Sequence, residues 1–461
     1  MLTIHDPRYT RRAFLQVGSL ALGGLALPAL LAEQARAASE RLLRDKSVIF
    51  LFMHGGPSQF ETFDPKMQAP AETRSTTGEV ATRIPGITFG GTFPKLAQLS
   101  DHLAIVRSFV TGNGNHDLKP VVSRDSFGAG LGSIYAHVAG FNDPATGMPT
   151  NAALFPRAVD PTTQPGTTSF GNFSATGPLS AACAPFVPGG GGTLQEDMKL
   201  KLSLNRLDDR RHLLRGLDRL QAALDAASNT ELDTQRDKAF RVILGGVADA
   251  FDLAKEDPRI VARYDTAPLV RPENISKKWN NHKNYADNAK SLGKLLLLAR
   301  RLCERGCGFV TVTTNFVWDM HADVNNAGVA EGMRYMGLPM DHAVSAFLED
   351  VEARGLSDKI LLVCCGEMGR TPRINKNGGR DHWGNLAPLL LAGGGFDMGQ
   401  VIGRSTRNGG EPATSPVTIQ NLVATIMHIL FDVGKLRVQR GLPLPMLPLT
   451  EWQPIPGLHK S

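Results

Sequence analysis

The sequence predicts a doubly wound α/β fold, an alternation of strands and helices around a central, mostly parallel sheet. Three observations lead there. Short apolar runs are continuous rather than alternating, the signature of strands buried on both faces. Segments of helical periodicity stand between and after them, the arrangement of a sheet covered by helices. A chain of 461 residues, 42% of them hydrophobic, can also bury a core of that size.

The strands expected are Val48 to Met53, Leu103 to Val106, Phe309 to Thr313, Ile360 to Cys365 and Leu389 to Ala392. The helices expected run from about Leu200 to Ala227, Glu231 to Ala254, Asn288 to Arg305, His342 to Arg354 and Thr418 to Leu430. Residues 142–193 are rich in Gly, Pro, Ser and Thr and end in four consecutive glycines, which predicts an irregular insertion within a single domain spanning 38–461. The Pro-rich end from Leu442 to Pro448 is expected to lie extended over the surface.

Ahead of the first strand, residues 10–37 have the order of a twin-arginine export signal. Arg11-Arg12 precede Phe14-Leu15, an uncharged stretch runs from Val17 to Leu31, and Ala35-Arg36-Ala37 offers a small-residue cleavage site. An uncleaved anchor over Ala13 to Ala32 is the alternative, since that length approaches a bilayer span. Export implies the twin-arginine translocase as a transient partner and the periplasm or cell envelope as destination. No later segment is long and apolar enough to be expected to cross a membrane.

Without residues 1–37 the formal charge falls from +6 to +4, through loss of Arg8, Arg11, Arg12 and Arg36 against Asp6 and Glu33. Basic residues are interspersed and have no interleaved aromatics, so nucleic-acid binding is not expected. The five cysteines cannot all pair and imply no disulfide framework. Cys303 and Cys307 lie one helical turn apart, a spacing that suits helix packing and would also suit a shared metal.

Chemistry is expected beyond the carboxyl ends of the strands, where an open parallel sheet binds its ligands. His54-Gly55-Gly56-Pro57-Ser58 follows the first strand, with Asp64 beyond it. Arg107-Ser108 and a polar loop from Thr111 to His116-Asp117 follow the second. Trp318-Asp319-Met320-His321 follows the third, and Gly366-Glu367-Met368-Gly369-Arg370 and Gly379-Arg380-Asp381-His382-Trp383 follow the fourth. In extended backbone Asp319 and His321 project to the same side and can converge on one cation. Carboxylate with imidazole suits zinc, manganese or iron, whereas calcium prefers oxygen alone.

The metal-ligand candidates are therefore His54, Asp319, His321, Glu367, Asp381 and His382, for a divalent cation such as zinc or manganese. Arg370, suited to a pair of phosphate or sulfate oxygens, and His116, an acid/base candidate, are the expected catalytic residues. Glu367 has a second reading as a carboxylate at a helix start, and Arg370 as its ion-pair partner. Ser58, Ser108 and Thr111 are candidate nucleophiles among which spacing does not choose.

With these motifs the chain resembles a bacterial family of exported proteins known as domain of unknown function 1501, related to sulfatases and alkaline phosphatases. The resemblance rests on residues 54–58, 318–321, 367–372 and 379–383. It implies an alkaline-phosphatase-like three-layer sandwich with metal ions at the strand ends and a Ser, Thr or modified Cys nucleophile. The chain departs from that superfamily in having His54 where an Asp is usual, Glu367 where Asp-His is usual, and no Cys-x-Pro-x-Arg sequence. A two-zinc phosphatase centre therefore does not carry over. The expectation is a metal-dependent periplasmic hydrolase of an anionic phosphate or sulfate ester. The alternative is a non-catalytic relative that binds an envelope glycan or a partner protein.

Overall fold

The computed structural model describes residues 42–189 and 247–458. The expected export signal, the helix expected over 200–227 and most of that over 231–254 lie outside the described residues.

Eleven strands are described: β1 Ser47–Phe52, β2 Glu79–Ala81, β3 Thr88–Gly90, β4 Ala104–Val106, β5 Asn151–Leu154, β6 Phe309–Thr313, β7 Ile360–Cys365, β8 Gly369–Arg370, β9 His382–Trp383, β10 Leu389–Gly393 and β11 Gln400–Ile402. Seven form the central sheet in the order β11-β4-β10-β7-β1-β6-β5, and β2-β3 and β8-β9 are separate antiparallel pairs. Every pairing in the central sheet is parallel except those of β10, which is antiparallel to both neighbours.

The apolar runs reflect burial on both faces, because successive side chains leave opposite sides of a strand. Ile49, Leu51 and Met53 of β1 and its end pack on one side. They meet the helices α2, His282–Glu304, and α3, Val329–Ala353. Val48, Phe50 and Phe52 pack on the other, with α1, Leu131–Ala139, and α4, Ile419–Leu430. The result is a three-layer α/β sandwich. Thr418 starts α4 with a capping box, its side chain accepting from Asn421 N–H while Asn421 reaches back.

Three expectations need correction. The insertion is not wholly irregular, since its Asn151–Leu154 segment is β5, a buried strand parallel to β6. Asn-Ala-Ala-Leu has little intrinsic strand preference, and pairing with β6 decides its conformation. The Pro-rich end winds into two 3-10 turns, Leu444–Met446 and Pro448–Thr450, and buries Met446 and Leu449. Helix α3 begins thirteen residues earlier than expected and carries Pro339 within it, where a proline would ordinarily end or kink a helix. Burial of its flanking Met336 and Met340 offsets that preference. No described helix is long and apolar enough to cross a membrane.

The direction of β10 matters for the site. The chain leaves β7 at its carboxyl end, makes the 366–388 loop there and re-enters the sheet from the same edge. It thus brings residues 379–383 beside the segments that follow β1, β4 and β6.

Candidate metal centre

Four loops meet at that edge and are tied to one another by their backbones. Trp318 N–H donates to His54 O at 3.1 Å, Arg380 N–H to Met320 O at 3.1 Å, and Thr111 N–H to Gly384 O at 3.0 Å. Gly55, at φ +113°, makes a close approach: a Cβ there would stand 2.5 Å from the Asp319 nitrogen. Gly55 is thus required by the loop that follows β6, while a Cβ on Gly56 would meet Met368 after β7.

The ligand-type atoms of His116, Asp319, His321 and His382 all lie within 4.8 Å of one another. Asp319 Oδ1 is the focus. It is 2.9 Å from His321 Nε2, 3.4 Å from His382 Nε2 and 3.6 Å from His116 Nε2. The Nε2 atoms of His321 and His382 are 2.7 Å apart. Nitrogen and oxygen ligands at about 2.0 to 2.2 Å from a tetrahedral ion stand roughly 3 to 4 Å from each other, the spacing of the three imidazoles from Asp319 Oδ1, while His321 and His382 stand closer together. Moreover, one oxygen also bonded to Arg370 cannot satisfy three imidazole edges by hydrogen bonding alone. The donor set fits a divalent cation.

Behind the histidines stand carboxylates. Glu367, fully buried, takes His116 Nδ1 at 3.0 Å and the Gly55 N–H at 2.9 Å. A proton on Nδ1 directed to Glu367 leaves the Nε2 lone pair for a metal, the usual arrangement behind a ligating histidine. Asp381 Oδ1 lies 3.5 Å from His321 Nδ1, on the ring edge opposite Nε2, with its side chain 61% exposed.

Burial by itself raises the pKa of Asp319, but hydrogen bonds from His116, His321 and His382 and the Arg370 charge hold it far below the usual carboxylate range. For His116, burial opposes protonation and its bonds to Asp319 and Glu367 outweigh it, so its pKa is raised. Burial lowers those of His382 and His54.

Arg370 is fully buried beneath the centre. Its guanidinium donates to the carbonyls of Gly55, Gly56 (2.7 Å) and Arg380 (3.1 Å) and to Asp319 Oδ1 at 2.7 Å. The side chain expected to receive an oxyanion is thus fully buried, and these four bonds tie three of the loops together.

The structure thus brings Asp319, His321 and His382 of the expected ligands to one point and adds His116, expected as an acid/base. Glu367 and Asp381 stand one step back, on histidine Nδ1 atoms. His54 is set apart. Its ring is 1% exposed, lies among Phe52, Phe170, Phe173 and Phe316, and has neither nitrogen hydrogen-bonded among the described residues. Replacing it with leucine is expected to leave metal affinity unchanged in a titration and to preserve or raise the unfolding midpoint, because unpaired buried polar atoms disfavour the folded state.

The candidate hydroxyls are all buried. Ser58 donates to Glu61, itself paired with Arg380 at 3.1 Å, and Ser108 Oγ has no partner among the described residues. Thr111 lies against backbone carbonyls. Asn326, whose side-chain amide donates to Asp319 Oδ2, has no signature in the sequence, where an Asn-Asn pair in a polar loop signals only a turn.

The family model described as Protein of unknown function (DUF1501) matches residues 45–436. The chain belongs to that family. No curated protein matches it. Among solved structures the chain is similar to the PsFucS1 sulfatase from Pseudoalteromonas sp., at 11% identity and TM-score 0.36, covering 92% of this chain and 72% of that one. It is similar also to Ps i-CgsB in complex with k-i-k-neocarrahexaose, at 9% identity and TM-score 0.35 over 84% and 72% of the two chains. Alkaline phosphatase from the Antarctic bacterium TAB5 matches at 10% identity and TM-score 0.25, over 89% and 99%. These are the kinds of protein to which the motifs pointed, but likenesses so distant carry no argument about the chemistry of this DUF1501 member.

Proposed function

We propose that this DUF1501 protein is a metal-dependent hydrolase of a phosphate or sulfate ester, with His116, Asp319, His321 and His382 holding one divalent cation. The observation that carries the reading is the convergence of three imidazole Nε2 atoms on Asp319 Oδ1. Three nitrogens and one carboxylate oxygen favour zinc, with manganese as the competitor.

A cation held there supplies Lewis-acid polarisation of the ester and activation of water. The protein's own residues prepare the centre. Glu367 and Asp381 orient the rings of His116 and His321 through their Nδ1 atoms. Arg370 offsets the Asp319 charge. Since Ser58, Ser108 and Thr111 are buried and directed elsewhere, water is the acceptor of the phosphoryl or sulfuryl group, and the alcohol leaves with the proton that water gives up.

The sequence of residues 10–37 supports the further reading that the protein works in the periplasm or envelope after twin-arginine export. That pathway carries folded proteins, which suits loading of the cation beforehand.

The test is elemental analysis of protein purified after export, with a screen of phosphate and sulfate monoesters before and after chelation. One equivalent of zinc or manganese is expected, together with turnover that chelation abolishes and the metal restores. Metal-free protein that takes up neither ion overturns the centre. Metal-loaded protein that cleaves no ester overturns the hydrolase and leaves a binding protein for an envelope glycan or partner.

A further inference from the structure

The histidines and Arg370 meet Asp319 at Oδ1. Its other oxygen, Oδ2, accepts a hydrogen bond from Asn326 Nδ2 at 3.0 Å. Asn326 is buried, and its Oδ1 accepts in turn from Asn281 Nδ2 at 2.7 Å. The polarity of this chain is forced. An amide oxygen facing the Asp319 carboxylate would repel it, so the Asn326 amino group must face Asp319. Its oxygen must then face Asn281, which can answer only with its own amino group.

The backbone holds the relay in register. Asn326 N–H donates to Asp323 Oδ1 at 2.7 Å, Asn281 N–H to Asn325 O at 3.0 Å, and Ala327 N–H to Tyr285 Oη at 3.0 Å. Asn281 immediately precedes α2 and Tyr285 lies in its first turn. One face of the metal-bearing loop is therefore fastened to the start of a long buried helix.

We propose that Asn326, backed by Asn281, is a positioning residue that engages Oδ2 and so makes Asp319 a one-oxygen ligand through Oδ1. The inference rests on the metal-centre reading above. A carboxylate free to turn can offer both oxygens, which expands the coordination shell and suits larger cations that favour oxygen. A carboxylate pinned at Oδ2 keeps a compact set of three nitrogens and one oxygen, the set that zinc prefers. The relay thus governs the choice of metal as well as the affinity, which a merely structural hydrogen bond would not.

The experiment compares wild type, Asn326→Leu, Asn281→Leu and the double variant. Zinc and manganese affinities are measured by competition with a chromophoric chelator, and the unfolding midpoint of each metal-free protein is measured alongside. Asn326→Leu is expected to lose about 10- to 100-fold in zinc affinity, the usual effect of removing a partner behind a ligand, and to lose less for manganese. Asn281→Leu should show a smaller loss of the same pattern, and the double variant no more than Asn326→Leu, since the two act in series.

An unchanged zinc affinity in folded Asn326→Leu, or an equal loss for both ions, overturns the positioning role. If Asn326→Leu does not fold, Asn281→Leu decides by the same criteria. Wild-type protein that binds neither ion overturns the centre itself, and this proposal with it. Wild-type binding alongside an indifferent Asn326→Leu overturns the positioning role alone.

Discussion

Asp319→Ala is expected to abolish tight metal binding and to destabilise the protein at once. The substitution removes the ligand oxygen on which three histidines converge. It also leaves Arg370 fully buried with its charge uncompensated. Removing one partner of a buried ion pair costs about 3–5 kcal/mol, a large part of the stability of an ordinary domain. Asp319→Asn separates the two effects in part: the amide oxygen still accepts a hydrogen bond from Arg370, although the guanidinium charge is left uncompensated as in the alanine variant. Isothermal titration with zinc should then show a loss of at least about 100-fold, the upper end of what loss of a mere supporting partner produces, with a smaller fall in the urea midpoint. Wild-type affinity in Asp319→Asn would mean that the cation, if bound, is held elsewhere.

Arg370→Leu is expected to weaken the fold by a comparable amount. The guanidinium joins the turn after β1, through Gly55 and Gly56, to the Arg380 carbonyl and to Asp319. Leucine leaves those carbonyls without a donor and Asp319 without its counter-charge, for a loss of about 3–5 kcal/mol and of metal binding with it. Arg370→Lys should recover only part of this, since an ammonium cannot reproduce the planar fork that reaches several acceptors together. Urea unfolding and metal titration of both variants give the measure. A variant that folds like wild type, binds metal normally and loses only turnover would instead return Arg370 to the oxyanion role suggested by its chemistry alone.

That contrast shows what kind of information local sequence holds. The Phe309–Thr313 and Ile360–Cys365 strands were legible to the residue because an unbroken apolar run of that length reports burial on both faces. The same run in Leu389–Gly393 reports burial equally well but carries nothing about direction, and this strand proves antiparallel to its neighbours. The Asp319 and His321 pair was legible because two-residue spacing puts both side chains on one side of extended backbone. The roles of His116 and Asn326 were not legible, because what distinguishes them is a neighbour about 200 residues away or a partner at the entry to the preceding helix.

Composition and period thus determine that this chain builds a mostly parallel sheet with polar clusters at the carboxyl ends of its strands. Which members of those clusters touch a common point is decided by the order of strands and the return of the 366–388 loop to the edge it left. His54 and Arg370 have suitable chemistry, yet one ring is enclosed by phenylalanines and the guanidinium is spent on backbone carbonyls. The physical reason is that burial and periodicity are encoded by each residue in its own segment. A ligand set is a property of distances between segments, and those exist only once the sheet has closed around its core.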